Sequence, residues 1–382
     1  MKKEDIADIF AYLVIFAGSL VYLLTILLPH FKVSTFPNGF IYALFILGAT
    51  ITGVVINAIL YELGHMLGAK LGGYAILSVN ILHFCFYFNE ENKLKFKFAN
   101  FDGFLGETKI LPKKEDANPN HYLLLGTLLS LIVTAGFVAL YVFLQDKGGE
   151  MPLFYLTIGV VGIACLFYNI LPFKLGTLND GYRLSTVSNP RNREAFNELL
   201  RVEYEIARGS ENVEIKTFTE LTNYTAELNM NKVYMLLEQK EYLKAMELID
   251  IVLKNEEQVS DRVYLRAVAN KIYLTILTED KDKAEEYIEK NVDIALRKQM
   301  SDDVSMATLR AYILVSGLFD NSKSECTLML EKLNKAYKKV PKNHRKVELE
   351  LFNDSLKMIN ELHPKWEILN YELIDESLNK NK

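Results

Sequence analysis

The chain has 382 residues, a net charge of -5, 24% charged and 50% hydrophobic residues, and a mean hydropathy of +0.08. These averages suggest a soluble protein only because two unlike halves are pooled: charges are sparse up to about residue 190 and recur every few residues beyond it. Three cysteines (Cys85, Cys165, Cys326) exclude a disulfide framework and a CxxC metal pair, and the mixed charge of the second half, without a basic stripe, disfavours nucleic acid as a partner.

Four runs, residues 9–28, 40–60, 122–144 and 153–171, approach or exceed the roughly 20 apolar residues that a helix needs to cross the hydrocarbon core. None contains Lys or Arg. The first is too long for a signal peptide and lacks a small-residue cleavage site. Lys2 and Lys3 precede the first run, seven lysines lie between the second and third, and Arg183, Arg191 and Arg193 follow the fourth, whereas the short loops hold only Lys32 and Lys147. By the positive-inside rule both termini and the long middle loop face the cytoplasm, which predicts a multi-pass protein of the cell membrane, compatible with a bacterial plasma membrane.

Within the middle loop, residues 78–88 are aromatic and β-branched, Asn89-Glu90-Glu91-Asn92 signals a turn, and Lys93-Leu94-Lys95-Phe96-Lys97-Phe98 alternates with period two. This predicts a β-hairpin against the cytoplasmic membrane face, acting as a packing lid or offering an edge near residues 81–88 for β-addition.

At the end of the second run stands Tyr61-Glu62-Leu63-Gly64-His65, continued through Gly68 and Gly72-Gly73-Tyr74. In an H-E-x-x-H helix two imidazoles four residues apart share a face and bind zinc while the Glu acts on the metal-bound water; here the first His is Tyr61. At the end of the fourth run come Asn169-Ile170-Leu171-Pro172 and then Gly176-Thr177-Leu178-Asn179-Asp180-Gly181-Tyr182. Runs two and four cross in the same direction, so His65 and Asp180 are expected at one membrane level. The plain alternatives are a Glu62 that snorkels to the interface and an Asp180 that only caps a turn.

Across residues 40–190 these elements together resemble the site-2 protease family of intramembrane zinc metalloproteases, peptidase family M50. The resemblance rests on the E-L-G-H helix, the following hairpin, a glycine-bearing third span (Gly126 to Ser130) and the N-x-x-P to N-D-G element. It implies that Glu62 is the general base, that His65 and Asp180 are zinc ligands with Tyr61 in the place of a further histidine, and that Asn169, with His83 on the hairpin, contacts substrate. The implied reaction is hydrolysis of a membrane-embedded peptide, which must first unwind because a membrane helix hides its backbone in internal hydrogen bonds. A phenol, with an ordinary pKa of about 10, is a poor zinc ligand unless the metal deprotonates it. Several readings of Tyr61 therefore stand open. It ligates as a phenolate, or His83 or His121 fills the gap, or the site holds no metal and the fold persists as a pseudoprotease, or the residue was introduced to trap an inactive form.

Beyond residue 190 amphipathic helices alternate with short polar breaks. Residues 228–255 predict two helices around Gln239-Lys240-Glu241-Tyr242, with Ala245 at the close-packing position, similar to a tetratricopeptide-type hairpin; residues 261–298 and 304–339 predict further pairs. The expected fold class is mainly α: a transmembrane domain over 1–190 with a small membrane-associated hairpin, then a cytoplasmic helical-repeat domain over 191–382. Such repeats bind peptides or partner proteins, so the alternative function is a catalytically inactive membrane-anchored scaffold.

Overall fold

The computed structural model describes residues 3–88, 93–98, 105–114, 116–172, 179–208, 210, 213–279, 281–340 and 344–366. The expected turn at residues 89–92 and the Gly176 to Leu178 stretch lie outside them. The chain is mainly helical and divides into two units, Met1–Asn197 and Glu198–Lys382; the division falls inside the helix that begins at Pro190.

In the first unit, four helical stretches are long and apolar enough to cross a membrane: Ile9–Val33, Gly39–Leu71, Pro119–Lys147 and Met151–Ile170. The first comprises α1 (Lys3–Tyr22), a π-helical turn (Leu23–Leu27) and α2 (Leu28–Val33). It is fastened to the rest by Tyr22 Oη, 2.8 Å from Thr157 Oγ1, and by the Tyr42 hydroxyl, which donates to the Leu27 carbonyl. The second is α3 (Gly39–Leu71), started by Asn38, whose side chain accepts from the Ile41 N–H, and ended at Gly72 and Gly73, the latter at φ +86°. Asn118 and Pro119 open α4 (Pro119–Leu144), Pro152 lies in the first turn of α5 (Met151–Ile170), and α3, α4 and α5 pack on one another.

Between α3 and α4 lies an antiparallel sheet of four strands in the order β3 (Leu94–Phe98), β2 (Phe84–Phe88), β1 (Tyr74–Ile81), β4 (Gly106–Pro112). This corrects two expectations. Residues 78–88 are not one strand, because the chain turns at Leu82-His83, with Leu82 at φ 54° and its N–H donating to the Leu105 carbonyl. The stretch 81–88 is not an edge either, since β2 pairs with β1 on one side and β3 on the other. The strand β4, which completes the sheet against β1, was not foreseen. Two short helices, α6 (Asp180–Val187) and α7 (Pro190–Ala207), follow, and Asn197 ties the start of α7 to the sheet by accepting from the Tyr74 hydroxyl and donating to the Ala117 carbonyl.

The second unit is all helical. The expected hairpin is α8 (Asn223–Glu238) and α9 (Tyr242–Leu253), joined through Lys240 at φ 58°, with Ala245 fully buried. Residues 261–302 give three helices where a pair was expected: α10 (Asp261–Thr278), α11 (Lys281–Asn291) and α12 (Ile294–Asp302). There follow α13 (Met306–Leu314) with a π turn, α14 (Lys323–Lys339) and α15 (Arg345–Leu362). Its apolar core encloses the charged pair of Arg310 and Glu348 at 2.9 Å, with Asn270 accepting from the same guanidinium.

Candidate active site around Glu62, His65 and Asp180

Most of the polar residues of α3 share one buried face: Asn57, Tyr61, Glu62 and His65 all lie inside the packed unit, together with Gly64 and Gly68. Apolar helices meet closely only where side chains are small, and here a Cβ on Gly64 would stand 2.5 Å from the Gly126 Cα. One on Gly126 would stand 2.8 Å from His65 Cε1. The backbones of α3 and α4 therefore touch, and the imidazole of His65 is clamped against α4, 4.9 Å from the Tyr122 ring.

That clamp fixes the imidazole's protons. His65 Nδ1 lies 2.7 Å from the Tyr122 carbonyl oxygen, which can only accept, so Nδ1 carries hydrogen and Nε2 is turned to the opposite side. There Nε2 meets Asp180 Oδ2 at 3.1 Å. Asp180 is delivered by Asn179, whose Oδ1 caps α6 through the Tyr182 N–H while its Nδ2 donates to the carbonyls of Tyr168 and Leu171 at the end of α5. Burial pushes the Asp180 carboxyl up, but the His65 imidazole and the Arg183 guanidinium more than offset this and hold it below the usual carboxylate range. An ionised carboxylate 3.1 Å from Nε2 requires a proton on that nitrogen or a cation between the two. The tautomer is the one a metal-ligating histidine adopts, with its other N–H given to a carbonyl.

Glu62, one turn earlier, accepts a 2.5 Å hydrogen bond on Oε2 from the Thr108 hydroxyl, and Tyr122 in turn donates to the Thr108 carbonyl. Its Oε1 lies so close to Gly106 that any side chain there would collide with it. The strand β4 thus closes over the glutamate.

The remaining expected residues are placed differently. The Tyr61 hydroxyl is directed at the Cys165 carbonyl at 3.5 Å, with the Asn169 and Ser130 side chains within its hydrogen-bonding reach, and its ring centroid is 6.2 Å from that of His65. Asn169 spends its amide on the same carbonyl, at 3.1 Å. His83 is exposed in the turn between β1 and β2, and His121 is exposed in the first turn of α4. Among the described residues no three His, Cys, Asp or Glu side chains converge on one point. Catalytic zinc takes three protein ligands and a water; this donor set offers an imidazole, a carboxylate and a phenol committed elsewhere, which does not fit a three-ligand centre.

Sequence reasoning missed Thr108, Gly106 and the Tyr122 carbonyl, because each acts through a fold contact. One signal was available: Gly64, Gly68 and Gly72 recur every four residues, the spacing that marks a close helix contact. No protein-family model matches the chain, and neither the curated proteins nor the solved structures contain a match.

Proposed function

We propose that the chain is a multi-pass membrane protein with both termini cytoplasmic, built like a site-2 protease, which holds an unwound membrane-embedded peptide at the Glu62, His65 and Asp180 centre without hydrolysing it. The observation that carries this reading is the 3.1 Å approach of His65 Nε2 to Asp180 Oδ2 beside a buried Glu62, in a cluster whose third ligand place is taken by a phenol turned to the Cys165 carbonyl. Support for the helix-end pairing comes from the glycine contact of α3 with α4, and support for the orientation from the lysine-rich middle loop. A carboxylate kept at the membrane boundary is costly, and Glu62, His65 and Asp180 present a polar surface that an unwound backbone can satisfy.

The test uses the purified full chain in detergent, measuring zinc by elemental analysis, and cleavage and photocrosslinking of a fluorescent transmembrane peptide. Substoichiometric zinc, no cleavage and a crosslink weakened by His65→Ala are expected, while Tyr61→His gains stoichiometric zinc. Stoichiometric zinc in the unaltered chain, lost in His65→Ala and Asp180→Ala and accompanied by Glu62-dependent cleavage, would replace this reading with an active metalloprotease.

A further inference from the structure

The β2–β3 hairpin has two unlike faces. Its register pairs Phe84 with Phe98, Phe86 with Phe96 and Phe88 with Leu94, which puts Phe84, Phe86, Leu94, Phe96 and Phe98 on one face and Cys85, Tyr87, Lys95 and Lys97 on the other. The apolar five are all exposed, up to 72% at Phe98. A contiguous face of this kind in water forgoes about 25 cal/mol for each Å² of apolar surface, so something covers it.

Three observations identify the cover as lipid. At about 1.5 Å per residue the 33 residues of α3 extend some 50 Å, well beyond a hydrocarbon core of about 30 Å. Its outward stripe of Ile59, Leu63, Leu67 and Leu71 nevertheless stays exposed to the last turn, so the lipid-facing surface of the helix continues to the point where the sheet begins. The strand β1 then doubles back along α3: Ile81 pairs with Gly106, and Gly106 packs on Glu62, about 14 Å back along the helix from Leu71. Phe84 and Phe98 stand at that deeper end. Finally, the lysines are on the face opposite the phenylalanines, with Lys97 over the Tyr87 ring at 5.2 Å, the division an in-plane amphipathic element shows at an interface. The sheet cannot sink into the hydrocarbon itself, because β3 is an edge strand and its outer backbone groups need water or headgroups.

We infer that the phenylalanine face of β2–β3 rests on the boundary between acyl chains and headgroups on the side where α3 ends, forming an in-plane anchor that holds β4 over Glu62. The inference rests on the membrane-spanning helices and not on what the site binds. Trp366 is the single tryptophan, so Trp366→Phe supplies a silent background for full-length chain reconstituted in phosphatidylcholine vesicles with brominated acyl chains. In that background Phe96→Trp and Phe98→Trp, both conservative, are expected to lose most of their emission to the bromines, while Lys95→Trp keeps its emission. Equal quenching on both faces overturns the proposal, as does none on either. Quenching that appears only at low chain density, with Phe96→Ser abolishing self-association, assigns the face to a second copy instead. Shielding of Phe96→Trp only on addition of a transmembrane peptide assigns it to a peptide, and this also overturns the proposal.

Discussion

Among the described residues, the most deeply buried ionic pairs of the two units are Arg310–Glu348 and His65–Asp180, and they are built differently. Arg310 and Glu348, wholly enclosed, link α13 to α15; the guanidinium also donates to Asn270 on α10 and lies 4.5 Å from the Tyr273 ring centroid. His65 and Asp180 link α3 to α6 and keep 7% and 14% exposure, with a second carboxylate, Glu62, one turn back along α3 from the histidine. The first pair lies at 0% and 2% exposure, its guanidinium met by Glu348, Asn270 and the Tyr273 ring; the second keeps some exposure and has a further carboxylate, Glu62, and the Arg183 guanidinium beside it. A buried pair of the first kind contributes mainly when one partner is lost, since the survivor is stranded in a low-dielectric interior. A pair of the second kind, in a cluster of titratable groups that is not fully enclosed, is the arrangement on which the proposed function rests.

The sharpest way to break the comparison is Arg310→Met, which strands Glu348. It is expected to cost the second unit about 3–5 kcal/mol, read by urea unfolding of the full chain through the fluorescence of Trp366, whose indole stacks on His363 at 4.0 Å. The double variant Arg310→Met with Glu348→Leu is expected to recover most of the loss; if the single variant unfolds at the same urea concentration as the unaltered chain, the enclosed pair is not a lock. Gly64→Val tests the frame of the other pair. With Gly126 Cα only 2.5 Å from the new Cβ, α3 and α4 must part, at about 1–3 kcal/mol. Thermal unfolding in detergent should fall, and crosslinking between cysteines introduced at His65 and Asp180 should fail; an unchanged crosslink would mean that the glycine contact does not position the histidine. The smallest effect is expected from Asp180→Asn. Its amide can donate to an unprotonated Nε2, so stability drops by only about 1 kcal/mol. A loss as large as that of Arg310→Met would make the two pairs equivalent and remove the ground for calling the second a functional centre.

Much of this frame was legible in the residues. Apolar runs of membrane length became helices near the expected places, though α3 extends ten residues or so past the expected end at Leu60, because the apolar stripe Leu63, Leu67, Leu71 continues while polar residues turn inward. The break at Gln239 to Glu241 was readable from its polar run. The turn at Leu82-His83 is not legible in the sequence because neither residue is a turn former; the carbonyl of Leu105, just ahead of β4 and more than twenty residues on, holds it.

Periodicity and composition are properties of neighbours along the chain, so the sequence by itself determined the apolar helices, the helical second half, and that E-L-G-H and N-D-G stand just beyond the second and fourth apolar runs. The fold alone decided that His65 Nε2 meets the Asp180 carboxylate, that β4 shuts over Glu62, and that the Tyr61 hydroxyl is directed at the Cys165 carbonyl, with no third His, Cys, Asp or Glu converging on the pair among the described residues. Those outcomes depend on ångström-scale approaches between segments far apart in the chain, set by glycine contacts and a sheet register, to which no local pattern responds.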